Sequence, residues 1–376
     1  MGRTTIVELV APGVRRLQPY VPGKPISELE REYGVRDIVK LASNENPLGP
    51  GPVARAAMAK ALTEIGLYPD GNGYELKLRL ARHHGVPIES ITLGNGSNDV
   101  LVLLAEAFLT ADTNAVFSQY CFAVYPIAVQ ATGAAARVAP ALPASAAMPL
   151  GHDLAALARL VDATTRLVFV ANPNNPTGTW LEERALREFV ERLPPTVVAV
   201  VDEAYFEYSR AAQLPDCSRW LGELPNLVIT RTFSKAYGLA GLRVGYALSS
   251  PEIADTLNRV RQPFNVNSVA LAAAGGALDD TVHLEHSVDL NRSGLKQLGE
   301  GLRALGITVL PSAANFVLVD LGGPAGPIHE GLLRQGVIAR PVGNYGLPNH
   351  LRVTSGTPEQ NERFLRALYS VIGRPA

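Results

Sequence analysis

The chain has 376 residues, with 34 lysines and arginines, 35 aspartates and glutamates, and a formal net charge of −1. This length suits about two domains, and the balanced charge argues against binding to nucleic acid or to an anionic membrane. Cys121 and Cys217 are the only cysteines, which predicts a cytoplasmic protein without a disulfide framework. No apolar stretch reaches the ~20 residues that a membrane-spanning helix needs, so no membrane association is expected.

The first 50 residues are predicted to form an extended arm, because prolines recur throughout and break up any long helix. A short helix is expected over 27–33, with Ser27 as its N-cap and Glu30 three residues later. Arms of this kind often wrap around a second subunit, so this one hints at a homodimer. We expect residues 1–50 to join the small domain and the dimer interface, residues 51–262 to form a large domain, and residues 263–376 to form a small α+β domain.

Apolar runs and helical patterns alternate between about residue 91 and residue 248. This alternation predicts an α/β fold with a large, doubly wound and mainly parallel sheet. Residues 131–150, rich in alanine and proline, are expected to be a surface connection. Strands are predicted at 91–93, 115–117, 167–171, 197–201, 227–230 and 244–248, and helices at 52–65, 75–84, 100–109, 153–161 and 182–193.

Polar residues follow several of these strands. A glycine-rich turn at 94–99 opens a helix, Asn175 follows one strand, Asp202 ends the next, and Lys235 follows another. Carboxyl ends of parallel strands gather at one edge of a sheet, where ligands bind. The turn at 94–99 suits a phosphate, although Ser97 or Asn98 could equally be a simple helix cap.

A different pattern begins near residue 260. Helices over 268–278 and 282–305 precede short strands and two further helices, which predicts the small α+β domain. Arg340 and Arg352 lie in strand-like contexts where either guanidinium could bind a carboxylate. His283 and His286 lack further ligands, so no metal site is expected.

These parts meet the needs of pyridoxal 5′-phosphate (PLP). A lysine can form a Schiff base with an aldehyde, a buried carboxylate can pair with a pyridinium nitrogen, and a phenol can bind a ring hydroxyl. Lys235, Asp202 and Tyr205 supply these groups. A glycine-rich helix start with a serine and Arg243 can bind the phosphate.

Three motifs carry a family resemblance: Asn-Pro-Asn-Asn-Pro-Thr-Gly at 172–178, Asp-Glu-Ala-Tyr at 202–205, and Ser-Lys-Ala-Tyr-Gly-Leu-Ala-Gly-Leu-Arg at 234–243. They resemble fold-type I, class-II PLP-dependent aminotransferases. The segments 40–49 and 68–73, with Pro19-Tyr20, resemble the histidinol-phosphate aminotransferase family in particular. The resemblance implies transamination of L-histidinol phosphate with 2-oxoglutarate, giving imidazole-acetol phosphate and L-glutamate.

The resemblance also implies residue roles. Lys235 would carry the cofactor and move a proton, with Asp202 at the ring nitrogen and Tyr205 at the ring oxygen. Tyr68 would reach the phosphate bound by the partner subunit, making a dimer obligatory. The remaining cofactor positions would be Gly96, Ser97, Asn98, Tyr120, Asn175, Thr232, Ser234 and Arg243. The substrate positions would be Tyr20, Asn46, Arg340 and Arg352.

Ser118-Gln119-Tyr120 departs from the family's Pro-Thr-aromatic pattern, so either Tyr120 or Phe122 could stack on the cofactor ring. Three other functions remain open at this point. They are an aromatic amino-acid aminotransferase, a PLP-dependent decarboxylase of a phosphorylated amino acid, and a PLP-binding regulator. The last is disfavoured because the chain has no N-terminal DNA-binding segment and no excess positive charge.

Overall fold

The computed structural model describes residues 6–20, 22–212 and 214–373. Its α-helices are α1 Ile6–Leu9, α2 Ile26–Tyr33, α3 Pro52–Ala61, α4 Tyr74–His84, α5 Ser97–Phe108, α6 Val124–Ala131, α7 Leu154–Leu160, α8 Glu183–Glu191, α9 Pro251–Val260, α10 Ser268–Asp279, α11 Thr281–Ala304, α12 Ala325–Arg334 and α13 Pro358–Ile372. Its strands are β1 Val39–Lys40, β2 Ile91–Gly94, β3 Asn114–Ser118, β4 Ala135–Ala139, β5 Thr165–Ala171, β6 Val198–Asp202, β7 Leu227–Thr232, β8 Gly245–Leu248, β9 Thr308–Val309, β10 Phe316–Asp320, β11 Val337–Ile338, β12 Arg340–Val342 and β13 Leu347–Thr354.

A seven-stranded sheet forms the centre of the large domain, in the order β2-β8-β7-β6-β5-β3-β4. The strands from β7 to β4 run parallel, whereas β8 is antiparallel to both of its neighbours. Because β8 is antiparallel to both β2 and β7, these two strands run parallel to each other and end at the same edge of the sheet. The expected α/β fold with a doubly wound, mainly parallel sheet is therefore confirmed.

Both faces of this sheet are buried, which explains the unbroken apolar runs in its central strands. Val168 and Val170 of β5 pack into a core with helices α4, α7, α8 and α10. Phe169, between them, points to the opposite face and packs with α5, α6 and α9. The two-residue alternation of a strand thus places successive side chains of β5 in two separate cores.

A second, four-stranded antiparallel sheet in the order β12-β13-β10-β9 forms the small domain, with α11, α12 and α13 packed on it. In the register of this sheet, Arg340 of β12 is directly opposite Arg352 of β13. The arm joins this unit through β1, which pairs with β11. We propose that the domain boundary lies beyond α10, since its buried alanines Ala270, Ala273 and Ala274 belong to the core of the large sheet.

The structure also corrects several local expectations. The helix α2 begins at Ile26 after Pro25, so Ser27 is inside it rather than capping it. The supposed connection at 131–150 contains β4, an edge strand whose alanines are weak indicators of β-structure. The α6 and α9 helices were not expected; α6 follows directly on the loop that holds Tyr120 and Phe122.

Within the described part of the chain, no helix combines the length and apolar composition needed to cross a bilayer. Over the same residues, no cluster of three or more histidine, cysteine or acidic side chains could hold a metal ion.

Candidate active site

The register of the large sheet explains why distant loops meet. Gly245, at the start of β8, is paired with Gly94 of β2 on one side and with Thr232 of β7 on the other. A side chain at Gly245 would collide with the backbone of Gly96 and Ser97. The glycine therefore lets the start of α5 lie against the end of β7, which leads into the turn bearing Lys235.

A cavity opens at this edge of the large sheet. Most of the expected cofactor-binding side chains face it. Its lining comprises Ser97, Asn98, Phe122, Ala171, Pro173, Asn175, Asp202, Ala204, Tyr205, Thr232, Ser234, Lys235 and Arg243.

Lys235 extends into this cavity from the turn after β7. Its Nζ donates a hydrogen bond to the carbonyl oxygen of Ser43 at 3.3 Å and is 5.6 Å from the ring centre of Tyr205. Burial, assisted by the positive charge of Arg352, lowers the pKa of Lys235 to about 7. An amine with that pKa is substantially neutral at physiological pH, as a nucleophile or a proton carrier requires.

Asp202 is at the end of β6, where its carboxylate is almost completely buried. Tyr125 donates a hydrogen bond to one oxygen at 2.8 Å, and Thr230 donates to the other at 2.9 Å. Burial raises the pKa of Asp202, while these two hydrogen bonds and one from the backbone of Ala204 oppose the rise. The carboxylate is thus held in a fixed orientation facing the cavity.

Tyr205 is also buried, and its hydroxyl accepts a hydrogen bond from Nδ2 of Asn44 at 2.8 Å. Burial raises the pKa of Tyr205 to about 12, so the phenol remains protonated at neutral pH. Its ring meets Phe316 of the small domain edge to face. Tyr205 therefore touches the arm and both domains.

The other end of the cavity has the features of a phosphate site. Helix α5 points its N-terminus at it, and Ser97 and Asn98 occupy the first turn. Arg243 donates a hydrogen bond to Ser234 at 3.1 Å, and the Thr232 hydroxyl accepts one from the Ser234 amide at 3.1 Å. A side chain at Gly96 would collide with the Arg243 guanidinium, so the glycine keeps this cradle open.

Two arginines stand on the small-domain side. Arg352 donates hydrogen bonds to the side chain of Asn175 and to the carbonyl oxygen of Ala42, while its Nε has no partner among the described residues. Burial lowers the pKa of Arg352. The Arg340 guanidinium lies 5.9 Å from the ring centre of Tyr20, which is about half exposed. These two cations, side by side, favour an anionic ligand.

Tyr120 is not at the cavity. Its ring packs against Leu310, Leu318 and Val342 of the small-domain sheet, because the chain turns outward after β3. Two residues later the chain returns, and Phe122 lines the cavity instead. The cavity lining therefore favours the alternative, Phe122, and which of the two stacks on the cofactor stays a prediction.

The side chain of Asn46 is hydrogen-bonded within the chain. Its Nδ2 donates to the carbonyl oxygen of Ala236 and to Ser287, both at 2.9 Å, and its Oδ1 accepts from the amide of Leu48 at 3.0 Å. With both amide protons donated inside the chain, Asn46 holds the arm against the turn after Lys235, and its role at the substrate site stays a prediction.

Tyr68 lies outside the cavity of its own chain. Its side chain is 83% exposed and stacks on Phe264 with ring centres 4.8 Å apart. This placement leaves Tyr68 available to a second subunit, as the resemblance predicts.

Sequence reasoning missed three groups that support the site, namely Asn44, Tyr125 and Thr230. Asn44 stands in the polar run at 43–46, but nothing in the sequence distinguishes it from Asn46. Tyr125 follows Phe122 by three residues, one helical turn, and that spacing is the signal that could have placed both near the cofactor.

Comparisons with known proteins agree with this geometry. Residues 36–368 match the family described as Aminotransferase class I and II. This chain belongs to that family. It is 57% identical to histidinol-phosphate aminotransferase 2 of Pseudomonas fluorescens, over 97% of this chain and 98% of that one. It is 58% identical to histidinol-phosphate aminotransferase 2 of Methylococcus capsulatus, over 98% and 99% respectively.

A solved structure extends the comparison. The crystal structure of histidinol-phosphate aminotransferase from Sinorhizobium meliloti in complex with pyridoxal-5′-phosphate superposes with a TM-score of 0.87 at 31% identity, covering 96% of each chain. The expected fold-type I aminotransferase architecture is thereby confirmed. As a member of this aminotransferase family, the chain is an enzyme.

Proposed function

We propose that this aminotransferase is a cytoplasmic, PLP-dependent homodimer of histidine biosynthesis. It transfers the amino group of L-histidinol phosphate to 2-oxoglutarate and forms imidazole-acetol phosphate and L-glutamate. The observation that carries the proposal is one cavity in which Lys235 and Asp202 face a phosphate-type cradle, with Arg352 at its side. The relatives above bear the same activity in their names.

The lining residues fit PLP at each of its functional groups. Ser97, Asn98, Thr232, Ser234 and Arg243 would hold the phosphate. Bound there, PLP supplies an electron sink that stabilises negative charge at the substrate Cα. The ring-contacting residues would be Asp202 at the nitrogen, Tyr205 and Asn175 at the oxygen, and Phe122 on one face.

Lys235 is the group suited to move the proton. Among the residues that the structure describes, it is the only lysine that lines the cavity, and its pKa near 7 lets the same Nζ accept a proton at the substrate Cα and return it. The Ser43 carbonyl, 3.3 Å away, orients this Nζ. Asp202 is held by Tyr125 and Thr230, so its negative charge stays directed at the ring nitrogen.

Arg352 and Arg340 are the groups suited to bind the anionic ends of the substrates. The Nε–H of Arg352 has no acceptor among the described residues, and Asn175 fixes the orientation of the guanidinium. Arg352 would therefore bind the carboxylate of glutamate or 2-oxoglutarate. Arg340, opposite it across the strand pair, and Tyr20 would line the rest of the substrate site.

The exposed Tyr68 supports the dimer. In the proposed assembly, each cavity receives Tyr68 of the partner subunit at its phosphate end. A large exposed aromatic side chain is typical of an interface, and Tyr68 adjoins the further exposed apolar residues Ile65, Leu67 and Phe264.

A donor–acceptor assay tests the substrate assignment. We expect the purified protein to convert L-histidinol phosphate and 2-oxoglutarate to glutamate, and to run the reverse reaction with imidazole-acetol phosphate. Phenylalanine as donor should give a much lower kcat/KM, and no CO₂ should be released from phosphorylated amino acids. A protein that transaminates phenylalanine as well as histidinol phosphate, or that releases CO₂, contradicts the proposal.

A further inference from the structure

Three hydrogen bonds link Thr354, Asn44 and the hydroxyl of Tyr205. The backbone amide of Asn44 donates to Oγ1 of Thr354 at 3.0 Å, and that hydroxyl donates to Oδ1 of Asn44 at 3.1 Å. Nδ2 of the same side chain donates to the Tyr205 hydroxyl at 2.8 Å. All three residues are buried, so each of these bonds is shielded from water.

This arrangement fixes the direction of the Asn44 amide. The Thr354 hydroxyl accepts from the backbone, so its own proton needs an acceptor, and Oδ1 of Asn44 provides it. The amide nitrogen must then face Tyr205. An amide nitrogen can only donate, so the Tyr205 oxygen accepts and its own proton is left to point elsewhere.

We infer that Asn44 is a positioning residue that turns the hydroxyl proton of Tyr205 into the cavity. Tyr205 is thereby prepared, before any ligand arrives, to donate a hydrogen bond to the ring oxygen of PLP. The inference rests on the proposed cofactor, though not on the identity of the amino donor. It assigns to the arm a direct part in preparing the site.

The backbone at this position supports a specific requirement for asparagine. Asn44 has φ +57°, in the left-handed region where side chains other than those of asparagine, aspartate and glycine are strained. The neighbouring carbonyls of Ala42 and Ser43 accept from Arg352 and Lys235. The left-handed residue therefore lets one short segment contact three functional groups at once.

The test compares wild type with Asn44→Gly, Tyr205→Phe and the double variant. Glycine keeps the left-handed backbone and removes the side-chain amide, which includes the donor to Tyr205 and the acceptor for the Thr354 hydroxyl. The ring oxygen of bound PLP is most negative in the high-pH form, so a hydrogen bond donated to it stabilises that form. We expect Asn44→Gly to raise the midpoint of the pH-dependent visible absorbance by roughly 0.7 pH units, and to weaken PLP binding about fivefold.

The double variant separates positioning from a general structural effect. If Asn44 acts through Tyr205, then adding Asn44→Gly to Tyr205→Phe should leave the absorbance midpoint where Tyr205→Phe puts it. An equal shift in both backgrounds overturns the inference, and so does an unchanged midpoint in Asn44→Gly. Asp37→Gly is the matched control, because Asp37 also has a left-handed φ of +54° but is exposed and lies outside the cavity lining.

Asn44→Asp keeps the size and backbone preference of the side chain while offering a carboxylate that takes the Tyr205 proton. It should raise the midpoint further than Asn44→Gly, and a smaller shift contradicts the inference even if the glycine variant fails to fold. If wild type itself does not bind PLP, the proposed function fails. If wild type binds PLP and all variants behave like it, only the role of Asn44 fails.

Discussion

At the scale of single residues, the hydroxyl groups of Tyr125 and Thr230 keep the Asp202 carboxylate charged and oriented. A buried carboxylate is costly unless it is paired or hydrogen-bonded, and burial alone would drive it toward the neutral form. Each hydroxyl donates to a different oxygen of Asp202, so both oxygens are satisfied and the charge keeps its direction. The strength of this support is open to measurement.

Tyr125→Phe tests it, since the ring and its stacking on Phe169 remain while one donor is lost. We expect kcat to fall roughly tenfold with little change in KM, because a hydrogen bond to a charged group contributes about 1.5–3 kcal/mol. Without the donor, the pKa of Asp202 rises and the acid limb of the kcat–pH profile moves to higher pH. Phe117→Leu, a change in the same core away from Asp202, is the control. An unmoved acid limb contradicts this account.

The pKa of Lys235 makes a second residue-level prediction, about the stability of the cofactor-free protein. In the unfolded chain this lysine has its ordinary pKa of 10.5, and in the folded chain about 7. Between those values the unfolded state binds more protons, so the free energy of unfolding rises with pH, by at most about 1.4 kcal/mol per unit. Below pH 7 the lysine is protonated in both states, and the stabilisation gained at high pH is lost.

Lys235→Met removes this titrating group, so only the wild-type protein gains unfolding free energy from it as the pH increases from 7 to 10. The advantage in unfolding free energy that the variant has at pH 7 should therefore shrink over this range. Urea denaturation of the two cofactor-free proteins at several pH values measures it. Lys40→Met, at a lysine outside the cavity lining, controls for the loss of a positive charge elsewhere in the chain. Parallel curves for wild type and Lys235→Met would contradict the lowered pKa.

At the scale of elements, the alternation of strands and helices was enough to predict a mainly parallel sheet with Asn175, Asp202 and Lys235 at one edge. Local sequence could not show that β8 inserts antiparallel between β2 and β7, since direction depends on long-range pairing. That insertion is what brings the start of α5 against Thr232 and completes the phosphate cradle. The choice between Tyr120 and Phe122 could not be made from the sequence for a related reason, because Tyr120 packs against a cluster of the small domain that is distant along the chain.

The close contact between α5 and Arg243 predicts the effect of Gly96→Ala. This glycine has φ +82°, and an added Cβ would collide with the Arg243 guanidinium. We expect PLP binding to weaken at least tenfold, because the arginine must leave its bond with Ser234. Gly85→Ala is the matched control, with φ +66° and no atom within 4 Å of the added Cβ.

Gly85 has left-handed helical angles, φ +66° and ψ +33°, so Gly85→Ala carries backbone strain of about 1 kcal/mol. Gly96, with φ +82° and ψ +163°, is in a region nearly restricted to glycine, so Gly96→Ala should lower thermal stability more. Only Gly96→Ala should change the affinity for PLP, which absorbance titration of the cofactor-free proteins measures. Equal affinities in the two variants would contradict the proposed cradle.

At the scale of the whole molecule, the proposed site combines groups of the arm with Tyr68 of a second subunit. The sequence predicted an extended arm, yet it could not tell which side chain of the 43–46 run contacts Tyr205. Choosing Asn44 over Asn46 requires the positions of Thr354 and Tyr205, which are respectively 310 and 161 residues away along the chain. The role of Tyr68 is harder still, because its binding partner is expected on another copy of the chain.

Complementation between two impaired variants tests this sharing of sites. Lys235→Ala should be inactive, and Tyr68→Ala should be strongly impaired in PLP binding and turnover. In a mixed dimer, the cavity that keeps Lys235 would receive an intact Tyr68 of the partner subunit, while the other cavity would lack both. Unfolding and refolding the two variants together at equal amounts should therefore recover about one quarter of wild-type activity, since half of the dimers are mixed and each has one complete site.

If Tyr68 instead served its own chain, no mixed dimer would contain a complete site, and the mixture would be no more active than the average of its parents. Lys235→Ala mixed in the same way with Lys235→Met, in which no combination restores a lysine, controls for refolding artefacts.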